Sequence, residues 1–181
     1  MSSSPTPTLR AIWRTWLVVC VVGVAGCGFR PVYAPPAGPD ETPATDQLAA
    51  VRIEPLRNRA GQQLHNFLRD DLNPKGQPLQ PAYKLQVELS KRVEELAFRQ
   101  DETATRANII LNSSFVLRAA SDGRVLYSGR VSAINSYNIL DDPYPTDVAA
   151  EDALRRGLRE LSQDIKLRLA VYFQTPEGQD L

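Results

Sequence analysis

Tyr83-Lys84-Leu85-Gln86-Val87-Glu88-Leu89-Ser90 is a strict alternation of apolar and polar side chains. Successive side chains on a strand point to opposite faces, so this stretch is predicted to be a strand with one face in a core and one face in solvent. Downstream, Ala107, Ile109, Leu111, Phe115 and Leu117 share one parity, with Asn108, Asn112, Ser114 and Arg118 on the other. Ser121-Asp122-Gly123 reads as a hairpin turn, followed by Val125, Tyr127, Val131 and Ala133 as the inward set of a further strand. Arg99-Gln100-Asp101-Glu102 is a polar turn between the two longest strands. The alternation slips near Lys91-Arg92, and beyond it Val93, Leu96 and Phe98 no longer keep one parity, which predicts a bulge there.

Upstream, Ala49 to Glu54 reads as a strand, with Pro55 marking its end or a sheet edge. Asn58 is placed to cap a helix running to about Leu72, since Leu64, Phe67, Leu68 and Leu72 recur at helical spacing. At the other end, Asp141-Asp142-Pro143-Tyr144-Pro145 breaks the strand pattern. Thr146 is then expected to cap a long helix whose stripe is Leu154, Leu158, Leu161, Ile165, Leu169 and Tyr172. The predicted order is β-α-β-β-β-α. It gives an α+β two-layer sandwich, a mostly antiparallel four-stranded sheet covered on one face by two helices, over residues 49–174. Residues 175–181 read as a flexible tail.

The N-terminal 48 residues are of a different kind. Arg10 and Arg14 precede the apolar run Trp16 to Ala25, which is too short to span a bilayer. Val24-Ala25-Gly26-Cys27 then places small residues before a cysteine, the pattern of a lipoprotein signal with cleavage after residue 26 and acylation of Cys27. Residues 27–48 carry Pro31, Pro35, Pro36, Pro39 and Pro43, and read as a lipidated N-terminus with an extended tether.

Composition narrows the function. The 181 residues hold 21 basic and 21 acidic side chains, and residues 1–26 contain two arginines and no acid. Neither the whole chain nor the remainder has the basic field of a nucleic-acid binder. The cysteines are Cys20 and Cys27, so an exported domain must stand on its core or on a partner rather than on disulfides. His65 is the single histidine, which rules out a histidine-rich metal site. No Gly-x-Ser-x-Gly elbow, phosphate-binding loop or His-Glu-x-x-His motif is present. Asp70-Asp71 and Asp141-Asp142 read as a helix end and a turn, without the spacing of a calcium loop. No cofactor, metal ligand or catalytic residue is expected. The outward face of the sheet is unusual in carrying Gln, Asn, Ser and Arg more than Lys and Glu. That composition suits contact with another polar wall, such as the lumen of a membrane β-barrel, because unpaired buried charge is costly.

Three segments give the chain a family resemblance: Cys27-Gly28-Phe29-Arg30-Pro31-Val32-Tyr33; Phe98-Arg99 leading through Thr103-Ala104-Thr105-Arg106 into the long strand; and Ser136-Tyr137-Asn138 before the last helix. The chain resembles the LptE family of lipopolysaccharide-assembly lipoproteins. The resemblance implies a lipid-anchored outer-membrane protein that plugs the LptD barrel, assists its assembly and serves lipopolysaccharide transport, with no reaction catalysed. It also puts Arg99 at a basic hairpin-tip position. There Arg99 and the nearby Arg106 are candidate contacts for lipopolysaccharide phosphates, since a guanidinium engages phosphate oxygens in a bidentate way. The alternative is an auxiliary lipoprotein of an ABC-type lipid transport system; a hydrolase using His65 is a third reading.

The lipobox gives a direct test. Cys27→Ala should abolish labelling of the chain by radioactive fatty acid in growing cells, and undiminished labelling contradicts acylation at Cys27.

Overall fold

The computed structural model describes residues 44–98 and 104–175. A short helix, α1 (Ala44–Ala49), leads into strand β1 (Val51–Ile53) and helix α2 (Asn58–Leu72). Strands β2 (Tyr83–Phe98), β3 (Ala104–Ala119) and β4 (Val125–Asn138) follow, and helix α3 (Pro143–Tyr172) closes the domain. The sheet order is β1-β2-β3-β4. The α+β class and the four strands agree with the sequence reading; among the described residues there are three helices rather than two, and the mostly antiparallel sheet is mixed. β2, β3 and β4 are antiparallel neighbours, whereas β1 runs parallel to β2, with Val51 opposite Tyr83. Parallel neighbours need a long crossover, and α2 supplies it.

Burial is one-sided. Leu85 and Val87 of β2, Ala107 to Leu117 in odd steps on β3, and Val131 and Ala133 of β4 are buried beneath Leu64, Leu68 and Leu72 of α2 and Leu158, Leu161, Ile165 and Leu169 of α3. Each such leucine contributes about 1.5–3 kcal/mol when taken out of water. An aromatic chain locks the C-terminal end of α3 to the sheet: Phe115, Tyr127, Tyr172, Phe173 and Tyr83 follow one another at ring separations of 5.0–5.9 Å. Where α3 crosses the sheet, Gly157 lets the helix come close; a Cβ there would stand 2.8 Å from Leu111 Cδ1.

Local chemistry sets the ends of the elements. Asn58 has φ +63°, and its Oδ1 accepts from Gly61 N at 2.8 Å, so it caps the first turn of α2 as expected. Asn73 ends α2, and its Nδ2 donates to the carbonyls of Ala49 and Val51, both at 3.1 Å. This blunts the outer edge of β1.

Four expectations need correction. Residues 44–49 are helical rather than tether and strand start, and Leu48 belongs to the core; a six-residue helix has too little periodicity to be read. No bulge lies at Lys91-Arg92, which pair regularly with Leu111 and Ile110. The pattern slips there because Lys91 and Val93 keep inward parity beyond the reach of the helices, and both are exposed. The register irregularity lies between Glu95 and Phe98. α3 starts at Pro143, not Thr146: Asp142 caps it by accepting from Tyr144 N at 3.0 Å, and Pro143 fills a first-turn position that needs no N–H. Thr146 instead accepts from Leu140 N at 2.9 Å and pins the incoming loop. Finally, Val125 is half exposed, because the register shifts between Leu117 and Arg118.

Gly129 faces the fully buried Phe115 ring, and a Cβ at that position would stand 2.6 Å from Phe115 Cζ. Gly129→Ala should cost about 1–3 kcal/mol by overpacking. It should lower the thermal midpoint accordingly, and a wild-type melting curve contradicts this packing.

Candidate functional site

The covered face of the sheet is spent on the core, so chemistry that meets a partner falls to the other face and to the ends of the domain. Register places the open-face side chains in rows across three strands. Glu88, Ser114 and Arg130 form one row, and Ser90, Asn112 and Ser132 the next. Arg92, Ile110 and Ile134 follow, then Glu94, Asn108 and Ser136. A shallow hollow of about 420 Å³ lies over Glu88, Ser90, Asn112, Ser114, Arg130 and Ser132. Ser136 Oγ donates to Asn108 Oδ1 at 2.6 Å, and Arg92 meets Glu94 at 2.7 Å. Within this polar field Ile110 and Ile134 stand opposite each other, and Ile134 is 62% exposed. The sequence shows each isoleucine as an exception to its strand's polar parity. Only the pairing shows that they make one apolar spot at the centre of the face.

The other titratable candidates are absorbed by structure. Asp71 Oδ2 accepts from Ser162 Oγ at 2.6 Å, joining α2 to α3. Asp70 is exposed beside Arg69, and Asp142 is the cap of α3. His65 is partly buried on α2, and its Nδ1 has no hydrogen-bond partner. Burial raises the Tyr83 phenol above its ordinary value, but Tyr83 is a core residue whose ring tilts against that of Phe173. Among the described residues no group of three or more His, Cys, Asp or Glu is arranged to hold a metal ion. No helix among them is long and apolar enough to cross a membrane.

Arg106 is exposed at the end of the β2–β3 pair where β3 begins, opposite Ala97 on one side and Asn138 on the other. Arg99 and Cys27 lie outside the described residues, so the geometry neither joins Arg99 to Arg106 nor places Cys27.

These features define a class: a small two-layer α+β domain whose sheet is buried on one face and offers a polar, hydrogen-bonding surface on the other. The LptE family model, described as lipopolysaccharide-assembly, matches residues 48–169. The chain belongs to the LptE family. It is 22% identical over 158 residues to an uncharacterized protein of Rickettsia prowazekii, which covers 87% of this chain and 96% of that one. A crystal structure described as a lipoprotein from Caulobacter crescentus superposes with a TM-score of 0.62 at 24% identity, covering 71% of this chain and 94% of the other. A minor lipoprotein from Acinetobacter baumannii gives 0.50 at 20% identity, covering 67% and 88%. These two structures share the fold. The family match makes the chain LptE-like, and the neighbours show that it has their fold.

Proposed function

We propose that this protein is lipid-anchored at Cys27 in the outer membrane and acts as plug and assembly partner of an LptD-like β-barrel that delivers lipopolysaccharide to the outer leaflet. The observation that carries the reading is the open face. It consists of rows of Ser, Asn and paired charge around the Ile110–Ile134 spot, on a domain whose family serves lipopolysaccharide assembly. A barrel lumen is lined by polar side chains, and neutral donors and acceptors can pair with it without stranding charge. Ile110 and Ile134 then supply the small apolar centre, and the polar rows the rim, that a protein interface ordinarily has.

Arg99 and Arg106 belong to the same proposal as contacts for lipopolysaccharide phosphates, Arg99 on the sequence pattern alone. Arg106 is exposed and has no Asp or Glu partner among the described residues, which supports that role. Gly28, rather than an aspartate, follows the cysteine, in keeping with outer-membrane retention.

Affinity purification of the tagged protein from detergent-extracted native membranes should recover a large β-barrel. Ile134→Asp should reduce that recovery at least tenfold while leaving the melting curve of the isolated chain nearly unchanged, since Ile134 is outside the core. Recovery of the wild-type protein without a barrel contradicts the proposal. Unchanged recovery with Ile134→Asp removes the open face as the contact.

A further inference from the structure

At the opposite end of the sheet from the β2–β3 hairpin, the same register gives a row of a different kind. Arg52 of β1 stands opposite Lys84 of β2, Lys84 opposite Arg118 of β3, and Arg118 opposite Val125 of β4. Three cations on three adjacent strands are unfavourable neighbours unless an anion meets them. None of the three has an Asp or Glu partner among the described residues. Their local bonds leave the charge uncompensated: Arg52 Nη2 donates to the carbonyls of Pro78 and Leu79 at 2.8 and 3.0 Å, and Arg118 Nη1 to that of Gly123 at 3.2 Å. The nearby β3–β4 turn adds Arg124 and one acid, Asp122, whose Oδ1 accepts from Arg124 N.

Apolar side chains flank this row. Leu79, whose carbonyl holds Arg52, is 95% exposed, and Val125 at the end of the row is half exposed. The connection from α1 into β1 also lies at this end: Ala50 O accepts from Ala82 N and Tyr83 N at the foot of β2. The beginning of α3, at the far end of the sheet, is acidic instead, with Asp142, Asp147, Glu151 and Asp152.

We infer that this end of the domain is a docking surface for the anionic phospholipid headgroups of the leaflet that holds the acyl chains. Arg52, Lys84 and Arg118 engage lipid phosphates, and Leu79 and Val125 enter the interfacial zone. A patch of this kind gives a weak electrostatic attraction that becomes effective once an anchor fixes the protein at the surface. The inference rests on anchoring at Cys27 but needs no barrel, so its test is independent of the plug reading.

The test uses the chain from residue 27 onward with Cys27→Ser, which carries no acyl group. It is mixed with vesicles of phosphatidylethanolamine containing phosphatidylglycerol, and separately with vesicles of phosphatidylcholine. The protein should co-sediment with the anionic vesicles at low salt and be released as salt rises. Lys84→Gln and Arg118→Gln should each lower the partition coefficient about fivefold. Leu79→Ser, in an exposed loop that leaves the core intact, should lower it further. Equal partition onto phosphatidylcholine, or wild-type partition by the Lys84→Gln, Arg118→Gln and Leu79→Ser variants, overturns the inference. Release by inorganic phosphate at constant ionic strength would make the row a site for free phosphate and overturn it equally. Absence of vesicle binding with intact fatty-acid labelling of Cys27 in cells overturns the docking surface and leaves the anchor standing.

Discussion

Burial of one face of the sheet, and only one, is the constraint on which the rest of this structure depends. Two helices are enough to cover a four-stranded sheet once. They meet it through Leu64, Leu68 and Leu72 on one side and Leu158, Leu161, Ile165 and Leu169 on the other. Because side chains alternate, the choice of which parity goes inward fixes the chemistry of the other parity at every position of three strands. Gly129 and Gly157 show how closely the layers are fitted: one yields to the Phe115 ring, the other lets α3 approach Leu111. The open face therefore cannot slip in register, and its rows of polar side chains hold fixed spacing, which is what a rigid docking surface needs.

The two ends of that face carry different chemistry for reasons of topology. Beyond the three residues of β1, β2 is the edge of the sheet, so Lys91 and Val93 lie outside the helical cover while Ile109 and Ala107 of β3 stay buried, and the β2–β3 arm continues to Arg106. At the other end β1 joins the sheet in parallel and adds Arg52 to the row of Lys84 and Arg118. Along one surface the molecule thus passes from a cationic foot, through a neutral hydrogen-bonding field with an isoleucine centre, to the arm that carries Arg106. A lipoprotein held at a membrane and inserted in a partner would present its surfaces in that sequence. The family assignment and the open face both suit the proposed role by contact with a partner.

Much of this was legible in the residues, and the exceptions have physical causes. The alternation in β2 and β3 and the stripe of α3 gave the layers, because long periodic segments leave few alternatives. The parallel pairing of β1 was not legible, since three residues carry no sign of strand direction. The start of α3 is hard to read because Pro143 looks like a breaker, although a proline without an N–H fits the first turn. A polar residue at inward parity, as at Lys91, ordinarily signals a slip, whereas here it signals the end of helical cover. The polar character of the open face was readable from composition. The Ile110–Ile134 spot and the Arg52–Lys84–Arg118 row were not, because both exist only across strands. Cys27 and Arg99 lie outside the described residues and stand on the sequence pattern.

The central claim is that the open face of the sheet is covered by a partner in the native membrane. The chain suits a cysteine-accessibility measurement, since Cys20 belongs to the proposed signal segment and Cys27 to the proposed acylation site. Ser132→Cys places a thiol in the middle of the open face, and a membrane-impermeant maleimide can be applied to opened outer-membrane preparations and again after denaturation. The account predicts that this thiol is protected in the native membrane and fully labelled once the protein is unfolded or purified away from its partner. Equal, rapid labelling in the native membrane and in the isolated chain would contradict it.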